Sequence, residues 1–266
     1  LLSELQSGSA VFHKPLQESA MSDAVVEQGA GLSEVERVVD VFVAPSKTFT
    51  DILRKATWWL PFVLMLIVTL AVSVVVDKQV GFPRVAENQI HDNPKQEEAL
   101  SNLTPEQRAQ RVTSMSSVYR GTSYGSFVFI LIFVAIGALL YWASFNFGLG
   151  ARTTYGQMFA VVMYASLPRL LTGLLTILTL MFGGNADAYD MKNPVGTNLA
   201  YYMPDAAPWL KAFLSFFDVI GLWVLVLLII GTAIVAKVPK GKAAIVVVGW
   251  WVFGLVLSIG IAVATS

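Results

Sequence analysis

Five apolar stretches, each about as long as a bilayer's hydrocarbon core is thick, leave this chain few ways to fold. The first, residues 58–76 (WWLPFVLMLIVTLAVSVVV), holds no charge. Roughly 20 apolar residues in a helix cross a core of ~30 Å. Inside it only helices and closed barrels satisfy their own backbone groups. Four more stretches follow at about 127–147, 157–182, 209–236 and 243–265. The chain is 55% hydrophobic and only 14% charged, where soluble domains carry about a quarter charged residues. The expected fold is an all-α integral membrane protein, a five-helix transmembrane bundle preceded by N-terminal amphipathic juxtamembrane helices.

Residues 1–32 are weakly patterned and read as a flexible N-terminal segment. Met21-Ser22-Asp23 has the form of a translation start, which leaves open whether residues 1–20 are native. Residues 33–57 read as amphipathic interfacial helices. Ser33 and Glu36 fit a capping box, in which each side chain satisfies a free backbone N–H of the other. Leu32, Val35, Val38, Val39 and Phe42 then recur at helical spacing, with Glu34, Arg37 and Asp40 placed elsewhere. Pro45 is expected to end that helix, and Ser46 to cap a second. Two settings suit the pair: the bilayer interface, or a cap packed on the protein's other segments. Trp58, Trp59, Arg54 and Lys55 are the expected interfacial anchors. Residues 58–266 form the five-span domain. In its longest loop, Thr104-Pro105-Glu106-Gln107 starts a helix with a stripe of Ala109, Val112, Met115 and Tyr119.

Two charges fall inside spans. Arg169 lies about 20 Å from the end of the third stretch and Asp218 about 14 Å from the start of the fourth, on one side, at 1.5 Å per residue. A buried charge of this kind needs a partner, a wet cavity or a function, so an Arg169–Asp218 pair in the bundle interior is expected. It reads either as a packing staple or as a transport or ligand site. Pro168 removes a backbone donor and bends the third span, freeing a carbonyl near Tyr164. Gly254, Ser258 and Ala262 repeat every four residues, a stripe that admits a neighbouring helix closely. Gly221 and Gly231 offer the same in the fourth span.

Several chemistries are excluded or disfavoured. There are no cysteines, hence no disulfides and no thiolate ligands or nucleophiles. Formal net charge is zero, so bulk charge does not invite nucleic acid. Asp187, Asp190, Asn193 and Asp205 match no calcium-loop spacing. No Walker loop, G-x-S-x-G, H-E-x-x-H or intramembrane carboxylate pair is present. The expectation is a non-enzyme without cofactor or metal.

Five spans put the termini on opposite sides. Lys47, Arg54, Lys55, Arg152, Lys237, Lys240 and Lys242 gather on the N-terminal side, which favours N-inside and C-outside. The first loop, with Lys78, Arg84, Lys95, Arg108, Arg111 and Arg120, disagrees, but the rule weakens for long loops.

Two stretches carry a family resemblance. VFVAPSKTF (41–49), followed by WWLPFVLML (58–66), resembles the start of the Yip-domain membrane proteins, above all the bacterial members. TYGQMFAVVMYASLP (154–168) resembles the same family's third-span signature. The resemblance implies a cytosolic N-terminal region, five spans and a very short C-terminus on the far side. Eukaryotic members bind Rab-type GTPases in vesicle trafficking. Their aspartate-leucine-tyrosine-glycine-proline run is here reduced to the proline of Val43-Ala44-Pro45, so GTPase binding does not carry over. The expected role is that of a scaffold, accessory subunit or membrane-organising protein in a bacterial cytoplasmic membrane, with lipid and other membrane proteins as partners. The alternative is a small permease or channel built on the bent third span.

Overall fold

A computed structural model describes residues 31–183 and 188–265. The chain divides into two units, Leu1–Leu32 and Ser33–Ser266. Residues 1–30, expected to be flexible, lie outside the described residues. All regular structure in the second unit is helical among the described residues. Five helices are long and apolar enough to cross a membrane: Trp59–Gln79, Ser126–Gly148, Tyr155–Phe182, Val219–Ala236 and Lys240–Thr265.

Helices α1 (Glu34–Val43) and α2 (Pro45–Ile52) come first. The capping box forms: Ser33 N–H donates to Glu36 Oε2 at 2.7 Å, and Glu36 N–H to Ser33 Oγ at 3.2 Å. Ala44 alone separates the two helices, and Pro45 occupies the first turn of α2 instead of a loop. Ser46 therefore lies inside α2 and does not cap it. A first-turn proline loses no hydrogen bond, which is why the break is so short.

The first span is α3 (Trp59–Gln79). Three helices fill the long loop: α4 (Phe82–His91), α5 (Pro94–Ser101) and α6 (Pro105–Tyr124). Thr104 and Gln107 cap α6 reciprocally, and its stripe of Val112, Met115 and Tyr119 is half-buried, since α6 packs along α4. The second span, α7 (Ser126–Ala143), ends in a π-helical turn at Ser144–Gly148. The third span has two parts, α8 (Tyr155–Ala165) and α9 (Arg169–Phe182). The expected continuous fourth span is also broken: α10 (Pro208–Ser215) stops, and α11 (Val219–Ala236) restarts after Asp218. The fifth span is α12 (Lys240–Thr265).

The third and fourth spans are central and the fifth peripheral, with 44%, 44% and 6% of their apolar windows buried. Spans one and two each pack on the third far more than on each other. At one end, Asn88 Nδ2 donates to the Tyr189 carbonyl at 3.0 Å, Lys211 Nζ pairs with Asp92 at 2.9 Å, and Lys95 Nζ donates to the Ala264 carbonyl at 3.0 Å. These contacts gather both long loops and the end of α12. The other end is closed by α1 and α2, whose Val41, Phe49 and Ile52 are fully buried among α8 and α11. One side of the two helices is thus packed into the core, while Val35, Val39 and Val43 on α1 stay exposed. Gly231 makes this possible. A β-carbon there would lie 2.8 Å from the Phe49 ring and 2.8 Å from Val161 Cγ1, so the glycine is the socket for Phe49.

Candidate functional site

Two polar sites are built into this apolar frame, one beneath the N-terminal helices and one where the third and fourth spans break. The first centres on Arg37, whose side chain is completely buried. Its Nε donates to Asp51 Oδ2 at 2.6 Å, and Nη2 approaches the same oxygen at 2.5 Å. Nη1 donates to Thr57 Oγ1 at 2.6 Å, and that hydroxyl donates in turn to Glu34 Oε1 at 2.5 Å. The other oxygen of Glu34 accepts from the Tyr164 hydroxyl at 3.0 Å. Arg54 reaches the second oxygen of Asp51 at 2.8 Å. Two cations and two carboxylates balance within one network, which is what makes burial of Arg37 tolerable. The network joins α1, α2, the entry to the first span and the middle of the third.

This site was not legible in the sequence, where Arg37 reads as belonging to a solvated face. The exposed face is instead Val35, Val39 and Val43, at 65%, 54% and 74%. Arg54 and Lys55 are exposed, and Arg54 pairs with Asp51. Trp58 and Trp59 are also exposed, and the Trp58 ring meets Phe159 edge-on at 5.0 Å.

Partial burial alone would raise the Asp51 pKa, but hydrogen bonds from Arg54 and Arg37 outweigh it and hold the carboxyl below its usual range. A carboxylate depressed in the folded state stabilises fully above its unfolded pKa of about 3.9 and loses that contribution as pH falls through the folded value. Protease resistance of residues 33–57 is therefore expected to stay constant from neutral pH to about pH 4 and to fall only below it. Limited proteolysis across pH checks this; a fall between pH 7 and 5 would show that Asp51 does not carry the anchor.

The second site lies at the breaks. After α8, Ser166, Leu167 and Pro168 turn the chain. The carbonyl of Tyr164, which a helix through Pro168 would leave without a donor, accepts the Leu167 N–H at 3.1 Å, and the Ser166 hydroxyl answers Val162 instead, at 2.8 Å. Pro168 itself is buried. Arg169 opens α9, whose N-terminus is itself partly positive and so gives the guanidinium no help. In the fourth span the break at Phe216–Asp218 is held by both phenylalanine rings against Trp251, at 5.6 and 5.7 Å.

No ion pair within 4.0 Å joins Arg169 to Asp218 among the described residues. The fourth span breaks just before Asp218. Asp218 is the N-cap of α11, its carboxylate accepting from Gly221 N–H at 2.6 Å and from the Thr197 hydroxyl. Aspartate is among the best residues for that task. Arg169 and Asp218 do line one cavity of about 530 Å³, together with Thr172, Asn198 and Trp250. A second cavity of about 910 Å³ reaches Arg169 from the side of the first and second spans.

A family model described as the Yip1 domain matches residues 39–261. The chain belongs to the Yip1 domain family. No curated protein and no solved structure matches it. The matched region holds Asp51, Thr57 and Tyr164 of the buried network, and both breaks; Glu34 and Arg37 precede it. With its five apolar helices, this Yip1-family chain is a multi-pass integral membrane protein.

The remaining expected features have plain locations. Gly254, Ser258 and Ala262 line a cavity of about 560 Å³ beside α10, with the Phe216 ring 3.6 Å from a β-carbon built on Gly254. Gly221 accommodates the Asp218 cap. Of the loop acids, Asp187 lies outside the described residues. Asp190 accepts from Lys192 N–H, Asn193 Nδ2 and Gln89 Nε2, and Asn193 in turn accepts from Ser215. That set ties the loop to α4 and α10, and among the described residues no group of three or more acids or histidines could hold a metal.

Proposed function

We propose that this Yip1-family protein is a non-enzymatic membrane-organising protein, its α1–α2 hairpin a rigid apolar wedge in one leaflet. One observation carries the reading. On α1 the arginine faces the core and Val35, Val39 and Val43 face outward, the reverse of a helix made for water. Thr57, which touches Arg37, directly precedes the interfacial Trp58 and Trp59, so α1 sits at the level where the first span meets the headgroups. Valines there lie against lipid, and the buried network keeps the hairpin from swinging free. The lysines and arginines flanking this end support a cytoplasmic side for it, and the resemblance to bacterial members supports a bacterial cytoplasmic membrane. The permease reading asks for a continuous polar path at Pro168; the larger cavity beside Arg169 is mostly apolar, which favours the first reading.

The test is reconstitution. A spin label at Val39→Cys is expected to be quenched by dissolved oxygen and not by a water-soluble nickel complex. Vesicles containing the wild type are expected to be smaller by electron cryomicroscopy than vesicles with V35S/V39S/V43S. A nickel-accessible label, or equal diameters, would end the proposal.

A further inference from the structure

The 910 Å³ cavity runs between the first, second and third spans and is near the upper end of the ~300–1,000 Å³ typical of ligand sites. Its walls are apolar, including Val68, Val72, Phe129, Ile130 and Phe133. Phe129 and Phe133 are also 45% and 69% exposed on the outer surface, so the cavity is open sideways. It opens there because the first and second spans pack on the third and hardly on each other. Arg169, itself exposed, lines this cavity and also the 530 Å³ cavity with Thr172, Asn198 and Asp218.

Arg169 thus lines both the mostly apolar cleft and the smaller cavity, whose charged residues besides it are Lys192 and Asp218. Among the described residues its guanidinium has no ion-pair partner within 4.0 Å; the Asp218 carboxylate faces the same smaller cavity but directs its oxygens at Gly221 and Thr197. A charge at such a position calls for a counter-charge. A planar guanidinium suits the oxygens of a phosphate in particular.

We infer that this cleft binds an anionic phospholipid, one acyl chain between the first and second spans and the phosphate on Arg169. The occupant enters from the bilayer, because the opening faces lipid. This site is separate from the valine wedge, and either can fail without the other.

The experiment is native mass spectrometry of the full chain in detergent, incubated in separate arms with palmitoyl-oleoyl phosphatidylglycerol, the matching phosphatidylcholine, or palmitate. The wild type is expected to retain phosphatidylglycerol over phosphatidylcholine. Arg169→Gln is expected to lower that retention about tenfold, the loss of a charge-assisted contact, and Arg169→Lys to restore part of it. Thr69→Trp, which fills the cleft from the first span and leaves the arginine in place, is expected to lower retention of both lipids. If Arg169→Gln does not fold, the lipid preference of the wild type and the Thr69→Trp result still decide. Equal retention of the two lipids, an unchanged Arg169→Gln or Thr69→Trp, or retention of palmitate alone would overturn the inference.

Discussion

Arg37→Ala is expected to destabilise the protein by about 3 kcal/mol, because it empties a fully buried site and leaves Glu34 without its cation and Asp51 with Arg54 alone. Arg37 is fully buried and touches Asp51, Thr57 and, more distantly, Glu34, so no water takes its place easily. The loss should concentrate at the N-terminal hairpin. Residues 33–57 should become protease-sensitive at temperatures where the five spans remain helical by circular dichroism. Arg37→Met is the informative companion. Combined with Asp51→Asn and Glu34→Gln it removes charge from both sides, and a buried ionic cluster replaced by neutral groups often costs little. The triple variant should therefore be more stable than Arg37→Ala alone. Equal melting temperatures for Arg37→Ala and the wild type in detergent would show that the network does not anchor the hairpin.

Gly231→Leu is expected to be among the most damaging single changes within the spans. Its β-carbon alone would come within 2.8 Å of both the Phe49 ring and Val161. Overpacking typically costs about 1–3 kcal/mol, and more where the neighbours cannot yield. Phe49 is fully buried and cannot move outward. Phe49→Ala by itself should cost about 3–5 kcal/mol as a cavity. The two changes share one space, so the double variant should be less destabilised than the sum of the singles, by at least about 0.5 kcal/mol. Thermal unfolding of the four proteins in one detergent gives the coupling directly. Strict additivity would mean that α2 does not seat on the fourth span at Gly231.

The value of the glycine was visible in the sequence only as a general allowance for close packing. Its partner was not, since Phe49 and Gly231 are far apart in the chain and only the docked hairpin brings them together. The same holds for Arg37. On a helical wheel it shares a side with other charges, and periodicity assigns charged sides to solvent. What reverses the assignment is the set of partners waiting at Asp51, Thr57 and Tyr164, none of them close in sequence.

Asp218 shows a different limit. Hydropathy averages over a window, so a three-residue break at Phe216–Asp218 disappears inside an apolar run. The aspartate's cap role depends on local backbone geometry, which directs its oxygens at Gly221 and Thr197 although it shares a cavity with Arg169. The proline break in the third span was legible because Pro168 forces it chemically, whatever surrounds it.

By itself the sequence determined the class of fold, the number of spans, the caps at Ser33 and Thr104, and the bend at Pro168. Each of these depends on bilayer thickness or on hydrogen bonds between near neighbours. Only the tertiary structure decided which face of α1 is inside, what fills the socket at Gly231, and that Arg169 lines two cavities. Those depend on contacts between distant segments, and in a membrane protein they are hard to foresee. Valines can face lipid as comfortably as a core, so the hydrophobic pattern that orients a helix in water loses its direction here.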